Sequence, residues 1–180
     1  MESFNLNATQ LKLKGPSIDQ IKVHNQWAAT ALDLYHKDSN AIIEFNIEGE
    51  VINANLAWDS NFSKAAMKEE KDMANHGGVA LAWFVMSVLQ DFNYVEQTEI
   101  GEGVDYRFRE DEPSDDELNF LDDYHYVEVS GILNESRTNT LKGRIKEKHD
   151  QIVRGCQRDK PSSVIVTLFS QPKTVKEIHK

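Results

Sequence analysis

The sequence predicts an α+β fold in which helices cover a sheet. Three observations carry this. From residue 62 onward the hydrophobic periodicity runs helix, strand, strand, strand, helix, strand. Val164-Ile165-Val166 is a continuous apolar run, the pattern of a strand buried on both faces. A helix and a hairpin precede this core as an N-terminal extension.

The elements follow in order. Ser17 with Gln20 forms a capping box, and Ile18, Ile21, Ala28, Ala31, Leu32 and Tyr35 recur at helical spacing, so a helix covers about 17–36. Ala41 to Ile47 and Val51 to Trp58 are strands joined by the turn Glu48-Gly49-Glu50. Asn61 or Ser63 opens a long helical stretch to about Gln90, polar at first and then strongly apolar. Within it, Gly77-Gly78 costs about 2 kcal/mol relative to two alanines, which calls for a kink or for close packing against another backbone. Tyr94 to Ile100 and Val104 to Arg109 are strands around the turn Gly101-Glu102-Gly103. Glu110 to Glu117 is an acidic loop, Tyr124 to Ile132 a third strand, and Thr138 or Asn139 caps a basic helix to about Arg154. Leu141, Ile145 and Ile152 form the apolar face of that helix. Ser163 to Ser170 is the last strand, and 171–180 reads as a tail. The chain reads as one domain, 1–180, with an extension at 1–61 and a core at 62–170.

Composition narrows the function. Apolar residues make up 39% and charged residues 28%, and no apolar run approaches the roughly 18 residues that cross a membrane. The N-terminus lacks a basic region followed by an apolar stretch, so no secretory signal is expected. The one cysteine, Cys156, excludes an intrachain disulfide and favours a reducing, cytoplasmic setting. A net charge of −10 argues against indiscriminate nucleic-acid binding. The charge is uneven: residues 137–180 hold 11 Lys and Arg against 4 Asp and Glu, while the first 136 hold 9 against 26. The basic quarter suits a polyanion, an acidic partner or the chain's own acidic part. The six histidines are scattered without ligand spacing, so zinc is not expected.

The motif that carries chemistry is Gly103-Val104-Asp105-Tyr106 followed by Val127-Glu128-Val129-Ser130-Gly131. An Asp opening one strand and a Glu inside the next can meet on one sheet, and two such carboxylates are enough for a divalent ion that retains several waters. Glu128 and Ser130 lie two apart on a strand and share a face with Tyr126.

These residues and the element order resemble the PD-(D/E)XK nuclease superfamily over residues 62–170. The resemblance implies that Asp105 and Glu128 hold Mg²⁺ together with the backbone carbonyl of Val129. It also implies that a Lys stands where this chain has Ser130, supplying positive charge near the attacking water. Ser130 is neutral, so the expected substitute comes from the basic helix, where Lys142, Arg144 and Lys148 are available; Lys142, one turn in, is the first candidate. In some nucleases of this fold a Glu of the first helix assists, which singles out Glu69 and Glu70. The string Gly-x-Asp-Tyr, Glu-Val-Ser-Gly-Ile, a basic helix with Lys148 and Gln151 and an apolar strand ending near Phe169 is also similar to a family of small bacterial proteins without an established activity.

Three functions follow as expectations. One is a metal-dependent phosphodiester hydrolase of a bacterial defence or nucleic-acid-processing system, meeting nucleic acid through helix 137–154, its site intact or degenerate. Another is a non-catalytic regulatory or scaffolding subunit that binds a partner effector protein. The third is a nucleic-acid mimic built on the acidic segment 110–123.

Overall fold

The structure, a computed structural model, describes residues 1–9, 12–99, 102–113, 124–155 and 159–180. Cys156 and residues 114–123 of the acidic segment lie outside the described residues. The fold is α+β, with one eight-stranded mixed sheet. In chain order the elements are β1 (Glu2–Asn5), α1 (Leu6–Thr9), α2 (Ile18–Asp33), β2 (Asn40–Ile47), β3 (Glu50–Ala57), α3 (Glu70–Phe84), β4 (Tyr94–Gln97), β5 (Tyr106–Arg109), β6 (His125–Ile132), α4 (Leu141–Arg154), β7 (Ser162–Leu168) and β8 (Lys173–Ile178). A π-helical turn, Val85–Leu89, continues α3. The strands lie in the order β1-β3-β2-β8-β7-β6-β5-β4. No helix among the described residues is long and apolar enough to cross a membrane.

The sheet separates two apolar cores. On one face α2 and α3 pack on Phe45, Leu56, Val127, Val129 and Ile165. On the other α4 lays Ile145 and Ile152 against Tyr126, Val164, Val166 and Leu168. Successive residues of β6 alternate between the two cores, as strand geometry requires. Glu128 and Ser130 therefore lie on the α4 face.

The segment expected as a tail is instead β8. It pairs antiparallel with β7 and parallel with β2, and so joins the hairpin to the rest of the sheet. Its sequence hides this because the inward positions are not all apolar. Lys176 is only 3% exposed, and its ammonium is held by Glu48 and Gln90. The N-terminal hairpin thus belongs to the same sheet as residues 62–170, and β1 adds a parallel edge strand beside β3.

The long helix also begins later than its polar stretch suggests. Residues 58–69 are not helical, because Asp33 collects the polar groups of that segment. It accepts hydrogen bonds from Trp58 Nε1 (2.7 Å) and Ser60 Oγ (2.7 Å), and it pairs with Lys64. Glu69 then caps α3. Of the two readings of Gly77-Gly78, close packing is the one observed. A Cβ on Gly77 would stand 3.2 Å from Ala28 Cα of α2, and one on Gly78 would stand 3.0 Å from the Gly131 nitrogen of β6. The pair lets α3 run between α2 and the sheet.

Smaller differences are at the ends. The β4–β5 hairpin is shorter than expected, so Asp105 immediately precedes β5. Thr140 caps α4 in place of Thr138 or Asn139, its hydroxyl accepting from Gly143 N–H at 3.1 Å.

Candidate functional site

β6 sits between β5, antiparallel, and β7, parallel. Tyr126 N–H donates to Pro161 O, towards the β7 side. Even-numbered residues of β6 therefore turn their peptide groups to β7, and odd-numbered ones turn theirs to β5. Asp105 N–H donates to Val127 O at 3.1 Å. One repeat further on, β5 has not yet begun, and the Asp105 side chain fills the gap: its Oδ2 accepts from Val129 N–H at 2.8 Å. The carboxylate is thus fixed to the edge of β6. The Val129 carbonyl shares that edge, since the N–H and C=O of one strand residue point the same way.

Glu128 lies beside this edge and is fully buried. Its Oε1 is 2.5 Å from Lys148 Nζ of α4, while its Oε2 is buried without a hydrogen-bond partner. Burial pushes its pKa from 4.5 up to about 8, the charge of Asp105 pushes the same way, and Lys148 opposes both. Two carboxylates therefore face each other, and in this state one of them holds a proton at neutral pH.

Lys148 is 15% exposed at the side chain and also donates to Gln151 Oε1 at 3.3 Å. Gln151 and Asp105 line one small cavity of about 200 Å³, with Gly103, Thr98 and Glu99. Asp105 thus opens onto this cavity at the start of β5, while Glu128 and the half-buried Lys148 lie behind it and do not line it.

The sequence-level candidates divide accordingly. Asp105, Glu128 and Val129 come together. Ser130 is 5% exposed on the same face as Glu128, with its backbone against Gly78 of α3. Lys142 does not join them. It is exposed on α4, six residues and so about 240° around the helix from Lys148. There it lines a groove with Lys146, His149 and Lys173. Glu69 is spent as the cap of α3, its Oε1 accepting from Lys71 N–H at 3.4 Å. Glu70 lines a different cavity, with Asn75, Gly131 and Arg144. His125 is not at the site: its Nε2 lies 2.8 Å from Ser163 Oγ, and burial, helped by Lys176, lowers its pKa to about 4.

Lys148 is the residue that sequence reasoning passed over in favour of Lys142. A signal was present. Lys148 lies three residues after Ile145 and four before Ile152, so it sits on the apolar face of the helix. A cation there must point at the sheet.

Among the described residues, no group of three or more His, Cys, Asp or Glu side chains is placed to hold a metal ion. No protein-family model matches the chain, and no curated protein and no solved structure matches it either.

Proposed function

We propose that the chain is a metal-dependent phosphodiester hydrolase acting on nucleic acid, built on a PD-(D/E)XK core. The observation that carries this is the convergence of Asp105 and Glu128, with Lys148 Nζ 2.5 Å from Glu128 Oε1. The order α3-β4-β5-β6-α4-β7, antiparallel through β6 and parallel from β6 to β7, supports the same reading.

The residues fit a divalent cation. Glu128 Oε2 is buried with no donor from another side chain, and two carboxylates forced close enough to share a proton are the groups a cation would relieve. Asp105, Glu128 and the Val129 carbonyl would hold Mg²⁺, which accepts such a small oxygen set and keeps waters for the rest. Bound there, the ion supplies charge stabilisation to the phosphate and acidifies a water. Asp105 fixes the Val129 peptide and so the edge on which its carbonyl sits. Lys148 brings the positive charge that Ser130 lacks, from α4 and not from β6. A fixed ammonium beside the reacting phosphate stabilises charge developing on its oxygen.

Incubation of the purified protein with Mg²⁺ or Mn²⁺ and labelled single- and double-stranded DNA and RNA tests this. Cleavage that Asp105→Asn and Glu128→Gln abolish is expected. Cleavage undiminished by both substitutions overturns the reading.

A second reading, a regulatory or scaffolding subunit on the same fold, has one observation in its favour. Ile42 and Val51 are 56% and 51% exposed on one face of the β2–β3 hairpin. Such a subunit forms a stable complex with a partner protein that Ile42→Lys disrupts, and it binds no Mn²⁺ at Glu128.

A further inference from the structure

We propose that Gln151 is a positioning residue, its amide oxygen holding the Lys148 ammonium against Glu128 so that a lysine borne on a helix stands in for the one absent from β6. The inference rests on the hydrolase reading above and names the residue that makes its cation usable.

A lysine at position 130 would be steered by the strand itself, two residues from Glu128. Lys148 comes from another element, on a long stem with many rotamers, and one contact leaves its ammonium free to swing. Two acceptors define its place: Glu128 Oε1 at 2.5 Å and Gln151 Oε1 at 3.3 Å. Residues 148 and 151 are three apart on one helix, so their side chains are neighbours by construction. Gln151 also lines the cavity that Asp105 lines, which places the hold on the open side of the site.

The choice of an amide over a carboxylate has a consequence. A neutral acceptor fixes the ammonium without cancelling its charge. A Glu at 151 keeps the acceptor and neutralises the cation. Removal of the acceptor therefore moves the ammonium, while a carboxylate at the same place still holds it.

The test compares Gln151→Met, which matches length and lacks the acceptor, with Gln151→Glu, which keeps it. Side-chain NMR of the Lys148 ammonium in the full-length protein reads position directly. Wild type should show a protected Nζ signal, Gln151→Met should lose it, and Gln151→Glu should retain it. In cleavage assays Gln151→Met should lower kcat at least tenfold with KM within threefold. Mn²⁺ affinity by electron paramagnetic resonance should stay within threefold of wild type in both variants. An unchanged Lys148 signal in Gln151→Met overturns the inference whether or not the protein cleaves nucleic acid. Absence of cleavage and Mn²⁺ binding in wild type overturns the hydrolase reading instead, and the NMR comparison still decides the contact.

Discussion

Gly103 and Gly155 touch: a Cβ on Gly103 would stand 2.5 Å from Gly155 Cα, and one on Gly155 would stand 2.6 Å from Gly103 Cα. This contact seats the last turn of α4 on the turn that leads into Asp105. Gln151 lies about one turn and Lys148 about two turns before Gly155, so this seating bears on how far Lys148 stands from Glu128. Gly155 has φ −80°, a conformation that alanine adopts easily, so the cost of Gly155→Ala is the contact alone. Gly155→Ala should lose about 1–3 kcal/mol in urea denaturation, the range for overpacking a tight contact, and should weaken Mn²⁺ binding. Gly49→Ala is the control. Its φ is +95° and nothing lies within 4 Å of the added methyl, so it should cost only about 1 kcal/mol and leave Mn²⁺ binding intact.

Glu128 makes stability fall as pH rises. Its folded pKa of about 8 exceeds its ordinary value of 4.5, so between them the folded state holds a proton that the unfolded state has released. The contribution is full below the unfolded value and is lost as pH climbs through about 8. His24 and His125 act in the opposite sense at lower pH. Burial holds both near pKa 4 against 6.5, so their penalty is relieved as pH rises to 6.5. These histidines, and His179, whose pKa burial also lowers, still shed part of their penalty just above pH 6.5, so the difference between wild type and Glu128→Gln, which share them, is what isolates Glu128. In urea denaturation of the metal-free protein, the stability of wild type relative to Glu128→Gln should fall by on the order of 2 kcal/mol between pH 6.5 and 8.

Lys148→Met should abolish at least about 99% of cleavage, the scale seen when one preorganised charge-stabilising donor is removed. Its effect on stability depends on pH. Breaking a buried ion pair costs about 3–5 kcal/mol when the remaining charge cannot be relieved, but Glu128 can take up a proton. Lys148→Met should therefore be clearly less stable than wild type at pH 9 and much closer to it at pH 5. Adding Glu128→Gln to it should restore stability at pH 9, measured by thermal or urea unfolding.

Asp33 ties the non-helical segment 58–69 to the end of α2 through Trp58, Ser60 and Lys64. Asp33→Ala leaves the buried Trp58 indole N–H without its partner and should cost about 2–3 kcal/mol. Trp58 emission should shift in the folded variant, while Mn²⁺ binding at the opposite end of α3 should be unaffected.

Much of this architecture is legible in the sequence, and the exceptions share a cause. The capping box at Ser17 and Gln20, the β2–β3 hairpin and the strand–helix–strand unit β6-α4-β7 follow from local periodicity and turn residues. β8 does not, because a buried Lys176 reads as a surface residue until Glu48 and Gln90, both far away in the chain, are placed beside it. The start of α3 is misread for a similar reason: Asp33 draws residues 58–64 out of a stretch whose local propensity is helical. At the site, Asp105 and Glu128 are visible as motif residues. Charge alone points to Lys142, one turn into the basic helix, because it does not tell an exposed helix face from an inward one. The phase of Leu141, Ile145 and Ile152 does make that distinction, and it selects Lys148.

A calorimetric titration of Mn²⁺ into the metal-free protein at pH 7, repeated in two buffers of different ionisation enthalpy, tests the central claim most directly. The account predicts binding with net release of a proton, because Glu128 must give up the one it holds, and loss of that binding in Asp105→Asn and Glu128→Gln. No binding to the wild type, or binding that both variants retain, would contradict it.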